Sequence, residues 1–207
     1  MIRLTYLDEE EAWQSTAHSR LKNDFTLQIP MELPKNIEDL WPMITEFAPQ
    51  AILIDYRLNE AGKLSYTGDE VIKELRKHNK HLPMFIITSY EDDALIKCEE
   101  AQVIRSKDIL TNPDMFVKLQ NIITAGVNNY NRRKSLAENT IRTLQEKIVD
   151  GKELTDTECQ DKFDAELYLS ELDLDNCVRS DLITNQSNRT LEKLLNVAKH
   201  IVELHKR

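Results

Sequence analysis

Five short apolar runs alternate with helix-like segments through the first 125 residues or so, and this alternation constrains the fold more than any other feature. The runs are "IRLTYL" (Ile2 to Leu7), "FTLQI" (Phe25 to Ile29), "AILIDY" (Ala51 to Tyr56), "MFIIT" (Met84 to Thr88) and "QVIRS" (Gln102 to Ser106). Between them lie helical patterns over Glu9 to Lys22, Ile37 to Phe47, Gly68 to Lys80 and Glu91 to Glu100, and a long helix begins near Asn112. The third and fourth runs are almost unbroken Ile, Leu and Phe, as in strands covered on both faces. Strand and helix in strict turn predict a doubly wound α/β domain with a parallel sheet.

Beyond Ala125 strand signals stop. Leu119, Ile123, Gly126 and Tyr130, then Ala137, Ile141, Leu144 and Ile148, recur at helical spacing, which would carry the fifth helix past the domain as a projecting stem. Arg133 and the poor helix formers of "VNNYN" mark where it would break. Thr155 and Glu158 form a capping box for a helix over Asp156 to Leu172. After a polar joint at Asn185 to Asn188, Leu191, Leu194, Leu195, Ala198, Ile201 and Val202 make one apolar stripe, suited to bundle packing or a dimer seam. The chain thus divides into a sheet domain (1–125) and an all-α extension (126–207).

Composition narrows the function. A 41% hydrophobic content supports a folded core, and a net charge of −9 opposes general nucleic-acid affinity, which needs a basic face. No apolar stretch approaches the roughly 18 residues of a membrane span, and the acidic start "MIRLTYLDEEE" is unlike a signal peptide, so a cytoplasmic location is expected. The cysteines Cys98, Cys159 and Cys177 and the five histidines show no metal-ligand spacing; solvated or edge positions are expected for the histidines.

Chemistry is expected at the carboxyl ends of the strands, where parallel sheets bind ligands. Asp8 and Glu9 follow the first strand, Asp55 ends the third, Thr88 the fourth, and Lys107 follows the fifth. Singly, each is an ordinary cap or surface residue; together they converge on one rim. Three carboxylates there repel one another unless a cation is present, and Mg2+ suits a few carboxylates plus water and phosphate oxygens. Asp55 could then attack a phosphoryl group, with Lys107 and the Thr88 hydroxyl contacting its oxygens.

These residues, in this order, resemble the receiver domain of two-component response regulators; "ILIDYRL" followed by "GDEVIKELR" resembles its passage from third strand to third helix. The resemblance covers residues 1–125. It implies a flavodoxin-like sheet ordered 2-1-3-4-5, a histidine kinase that donates a phosphoryl group to Asp55, and Mg2+ held by Asp8, Glu9, Asp55 and the Arg57 backbone carbonyl. It also implies modulation by Arg57, Ser89, Tyr90 and the position of Ile104.

The sequence departs from the family in four places. The loop "YRLNEAGKLSYT" is long and the stretch from Thr88 to Lys107 short. Ile104 stands where an aromatic residue often rotates on phosphorylation, and Asp108 follows Lys107 where a cis proline is frequent. Arg57 and Tyr90 would flank the path of the hydrolysing water and prolong the phosphoaspartate. Arg57 also stands where phosphatases of the haloacid dehalogenase type carry their second acid, so an enzyme of that kind is not expected. The expected output is protein contact by the helical extension, as a homodimer or with an effector. The alternatives are a phosphate sink without an effector and an RNA-binding tail, since "NRTLEKLLNVAKHIV" faintly resembles the last helix of antiterminator modules.

Overall fold

The computed structural model describes residues 1–98 and 104–173. The described elements are β1 (Ile2–Leu7), α1 (Glu11–Leu21), β2 (Phe25–Gln28), a 3-10 turn (Ile37–Asp39), α2 (Leu40–Thr45), β3 (Ala51–Asp55), α3 (Gly68–Arg76), β4 (Met84–Thr88), α4 (Glu91–Lys97), β5 (Ile104–Ser106), a second 3-10 turn (Lys107–Leu110), α5 (Pro113–Val149) and α6 (Asp156–Ser170). All neighbouring strands pair in parallel, in the order β2-β1-β3-β4-β5.

Every residue of β3 is buried, because alternate side chains enter different layers. Ile52 and Ile54 join Leu40, Ile44, Val71, Ile72 and Leu75 on the α2–α3 face. Ala51 and Leu53 join Ala17, Leu21, Leu119 and Ile123 on the α1–α5 face. Loss of a fully buried Leu or Ile side chain from either layer would cost about 2–5 kcal/mol. The third helix starts sharply because Thr67 and Glu70 cap each other reciprocally. Its first residue, Gly68, lies so close under β3 that an added Cβ would stand 2.3 Å from the Asp55 carbonyl oxygen.

Two expectations for the extension are corrected. Helix α5 does not break at "VNNYN" or Arg133; it runs 37 residues, about 55 Å at 1.5 Å per residue, through the proposed boundary at 125. Tertiary contacts override weak propensity there. The bare Cα of Gly126 faces the Phe85 ring, where a Cβ would sit 3.1 Å from Cζ, and Asn79 Nδ2 donates to the Tyr130 hydroxyl at 3.2 Å. Nor does the extension simply project. Gly151, in the left-handed region at φ +75°, turns the chain, the Thr155–Glu158 capping box restarts it, and α6 returns antiparallel along α5.

Ala137 and Ile141 pack against Ala165, Tyr168 and Leu169, Lys147 binds Glu158 at 2.6 Å, and Arg133 lies 4.7 Å over the Tyr168 ring. The end of α6 then docks on the loop before β4. Glu171 accepts from Lys80 Nζ at 2.7 Å, its backbone carbonyl accepts from Lys80 N at 2.9 Å, and its other carboxylate oxygen is 2.8 Å from His81 Nε2. His81 therefore serves an inter-element contact instead of the solvated edge expected of it, and His78 stacks on Trp41 with 5.0 Å between ring centroids.

Cys98 is buried, and Cys159 is a half-buried free thiol. Cys177, the joint at Asn185 to Asn188 and the apolar stripe from Leu191 to Val202 lie outside the described residues. No helix among the described residues is long and apolar enough to cross a membrane.

Candidate functional site

The carboxyl ends of β1, β3 and β5 deliver Asp8, Asp55 and Lys107 to one point because the three strands run parallel on either side of the reversal in strand order. Lys107 Nζ bridges the two acids, 3.0 Å from Asp8 Oδ2 and 3.0 Å from Asp55 Oδ1. All three are buried. Charged groups so deep are tolerated only when paired, and here one ammonium serves two carboxylates.

Asp8 is held from several sides. Its Oδ1 accepts from Glu10 N at 2.9 Å, and its Oδ2 takes a short hydrogen bond from the Tyr6 hydroxyl in addition to Lys107. Gln14 Nε2 donates to the Asp8 carbonyl at 2.8 Å. Tyr6 reaches this point because residues 4, 6 and 8 of an extended strand share a face. The sequence held no motif for Tyr6; its signal was that period of two, counted back from Asp8.

Burial pushes the Asp55 carboxyl up, opposed by Lys107 and reinforced by Asp8, to about 6 from an ordinary 3.8. Burial pulls the Lys107 ammonium down, but Asp55 and Asp8 outweigh it and hold it above its ordinary value. At neutral pH the pair is therefore carboxylate and ammonium. The Arg57 backbone N–H also donates to the Asp55 carboxylate.

Of the two glutamates after Asp8, the structure brings Glu10, and not the expected Glu9, close to Asp8 and Asp55. Oxygens of Asp8, Glu10 and Asp55 lie within 4.8 Å of one another, and Glu10 Oε1 is 3.7 Å from Lys107 Nζ. Glu9 turns toward the long loop after β3, where Oε1 accepts from Ala61 N at 2.7 Å while Oε2 is buried without a hydrogen-bond partner. Consecutive residues leaving a strand point to opposite sides, so Asp8 and Glu10 share a side. Three carboxylates are the hard oxygen donors that Mg2+ prefers, so the donor set fits a divalent cation. The Arg57 carbonyl already accepts from Glu60 N at 3.2 Å and has a second lone pair for a metal.

A cavity of about 400 Å3 opens above Asp55, lined by Glu9, Glu10, Trp13, Arg57, Glu60, Ser89, Tyr90 and Lys107, among others. Thr88 is buried and is not among the residues lining this cavity; its Oγ1 accepts from Tyr90 N at 3.0 Å, which leaves the hydroxyl proton to donate. Ser89 is exposed at the mouth. The Arg57 guanidinium lies 3.4 Å from the centroid of the Tyr90 ring, and the Tyr90 hydroxyl donates to Glu60 Oε1 at 3.0 Å. The Lys107–Asp108 peptide is trans. Ile104 lies in β5, opposite Ile86.

Strand order and site together define a class: a doubly wound, flavodoxin-like domain with an acid-lined pocket at its topological switch point and a helical extension. No family model matches the sequence, and no curated protein does. Among solved structures, the chain is similar to an adenylate cyclase from Rhodopirellula baltica (18% identity over 66% of this chain and 94% of that one, TM-score 0.48). It is also similar to a DNA-binding response regulator of the LuxR family from Staphylococcus aureus (19% identity, 61% and 99%, TM-score 0.41). A third is the RcsB response regulator of Salmonella typhimurium (12% identity, 82% and 92%, TM-score 0.43).

Proposed function

We propose that this protein is a response regulator whose receiver accepts a phosphoryl group on Asp55 from a histidine kinase, with Mg2+, and signals through protein contacts of its helical extension. The observation that carries the reading is the single buried ammonium of Lys107 shared by Asp8 and Asp55 at 3.0 Å each. Such a group is costly as mere scaffolding, and its charge faces the oxygens of any phosphoryl group bonded to Asp55.

In the transfer, an Asp55 carboxylate oxygen bonds to phosphorus as the bond from phosphorus to the donor imidazole nitrogen breaks, and the electron pair leaves with that nitrogen. Asp8, Glu10 and Asp55 would hold Mg2+, which supplies positive charge against the transferred oxygens. Lys107 neutralises a further oxygen, and the Thr88 hydroxyl donates to another. Tyr6 keeps Asp8 aimed at the site. Arg57 stands two residues after Asp55, where phosphatases of the haloacid dehalogenase type carry the acid that protonates the leaving group, so the chain is read as a phosphoacceptor and not as a phosphatase.

Output by protein contact is supported by the apolar side chains the hairpin leaves uncovered: Leu136 is 67% exposed and Val149 86%. Treatment with a small phosphodonor and Mg2+, followed by intact-mass analysis and site mapping, tests the proposal. A gain of one phosphoryl group on Asp55, absent from Asp55→Asn, is expected. No gain, or a label on another side chain, ends this reading.

A further inference from the structure

We propose that Arg57 is an anion-binding residue held in reserve by Glu60, and that its transfer to a phosphoryl group on Asp55 releases Tyr90 and so passes the signal to α4. This rests on the receiver reading above.

Three side chains contact one another at the mouth of the cavity. Arg57 stacks on Tyr90, Arg57 Nη1 is 3.7 Å from Glu60 Oε1, and the same oxygen accepts from the Tyr90 hydroxyl. Glu60 is thus the common anchor of a guanidinium from the loop after β3 and an aromatic ring at the start of α4.

The charges of the cavity favour a change of partner. Among its lining residues, the acids are Glu9, Glu10, Asp55 and Glu60, and the cations are Arg57 and Lys107. Lys107 bridges Asp8 and Asp55 and, on the reading above, meets one phosphoryl oxygen. A phosphoryl group adds roughly 1.5 to 2 negative charges, so the remaining guanidinium meets a stronger and better-shaped acceptor than a single carboxylate oxygen. Its present ion pair with Glu60 is long and sits at the solvent edge, with side chains 32% and 44% exposed, which makes it weak. Arg57 is two residues from Asp55, and the two line the same cavity.

When Arg57 leaves, Tyr90 loses the cation over its ring. Tyr90 is 41% exposed and directly precedes α4, and its backbone N–H is bound to Thr88 Oγ1, which the phosphoryl group also recruits. Two of the three ties of Tyr90 to the resting pocket therefore change at once, and only its hydroxyl bond to Glu60 is left. An aromatic reporter is placed at residue 90, in a chain with isoleucine at residue 104.

The test uses the full chain with Mg2+ and beryllofluoride, a tetrahedral mimic of a carboxyl-bound phosphoryl group, titrated by calorimetry. Arg57→Ala should weaken binding about tenfold, and Glu60→Gln should strengthen it several-fold by freeing Arg57. The gain from Glu60→Gln should vanish on the Arg57→Ala background. In protein labelled with 3-fluorotyrosine, the Tyr90 resonance, assigned with Tyr90→Phe, should shift on saturation in the parent and stay in place in Arg57→Ala. Unchanged affinity in Arg57→Ala, a Glu60→Gln gain that persists without Arg57, or a Tyr90 signal that moves without Arg57 overturns the proposal while the receiver reading stands. No binding by the parent chain, together with no phosphoryl gain on Asp55, overturns both.

Discussion

At the scale of single residues, the site's behaviour follows from how few charges compensate one another in a buried space. Asp55 titrates near 6 in the fold against an ordinary 3.8. A raised value means that the proton favours the folded state. The ionised carboxylate therefore opposes folding fully above about 6, and the penalty disappears below 3.8. Asp55→Asn is expected to stabilise the metal-free protein well above pH 6, on the order of 1–3 kcal/mol, and to make little difference below the ordinary value, as read by denaturant midpoints across pH. Tyr6→Phe removes the hydroxyl that fixes Asp8 Oδ2 and should weaken Mg2+ binding severalfold without unfolding the protein. Trp13 lines the cavity and reports this by fluorescence once Trp41→Phe has silenced the second tryptophan. Arg57→Ala or Tyr90→Ala should shorten the life of the phosphoaspartate by admitting water; a lifetime of seconds in the parent that neither change alters would refute the shielding role.

The legibility of the sequence also differed residue by residue. Asp55 and Lys107 could be read because each directly follows an apolar strand, and strand ends in a parallel sheet have one destination. The choice between Glu9 and Glu10 was open because "DEEE" supplies three adjacent glutamates, and adjacency does not encode the direction in which the chain leaves β1. Only the hydrogen bond from Ala61 N, contributed by a loop 52 residues away, reveals where Glu9 goes.

At the scale of elements, periodicity located every described strand, and the differences lie at ends and joints. Helix α3 stops at Arg76 instead of Lys80, because Asn79 uses its side chain to accept from His81 N and Leu82 N and so turns the chain toward β4. Helix α5 continues where propensity predicts a break, because Gly126 and Tyr130 face protein there; neither contact is visible in a local window. Gly68 joins an element to the site. Since its Cβ would overlap the Asp55 carbonyl, Gly68→Ala must push α3 away from β3, at a cost on the order of 2–4 kcal/mol. Urea unfolding measures the loss, and phosphorylation of Asp55 should fall with it. A variant of parent stability would show that α3 is free to shift.

At the scale of the whole molecule, the α5–α6 hairpin is tied to the sheet domain at both ends of its course: through the N-terminal half of α5 in the α1–α5 layer, and through Glu171 at the end of α6. The second tie is electrostatic and can be loosened by acid. Burial raises the Glu171 carboxyl, but the hydrogen bonds from Lys80 and His81 outweigh it and leave the group below its ordinary 4.5. A depressed value means that the unfolded state binds the proton more readily. The stabilisation from this contact is therefore complete above 4.5 and is lost as pH falls toward the lower folded value. Tyr168 packs on His81 from the same helix, with Arg133 beyond it, so the apolar part of the contact survives acid. Hydrogen exchange should thus show the amides of α6 opening before those of β1 and β3 as pH is lowered through this range, with Glu171→Gln already open at neutral pH and insensitive to the change. If α6 in Glu171→Gln keeps the protection and acid response of the parent, the hairpin is held by its apolar packing alone and the carboxylate is incidental to the docking.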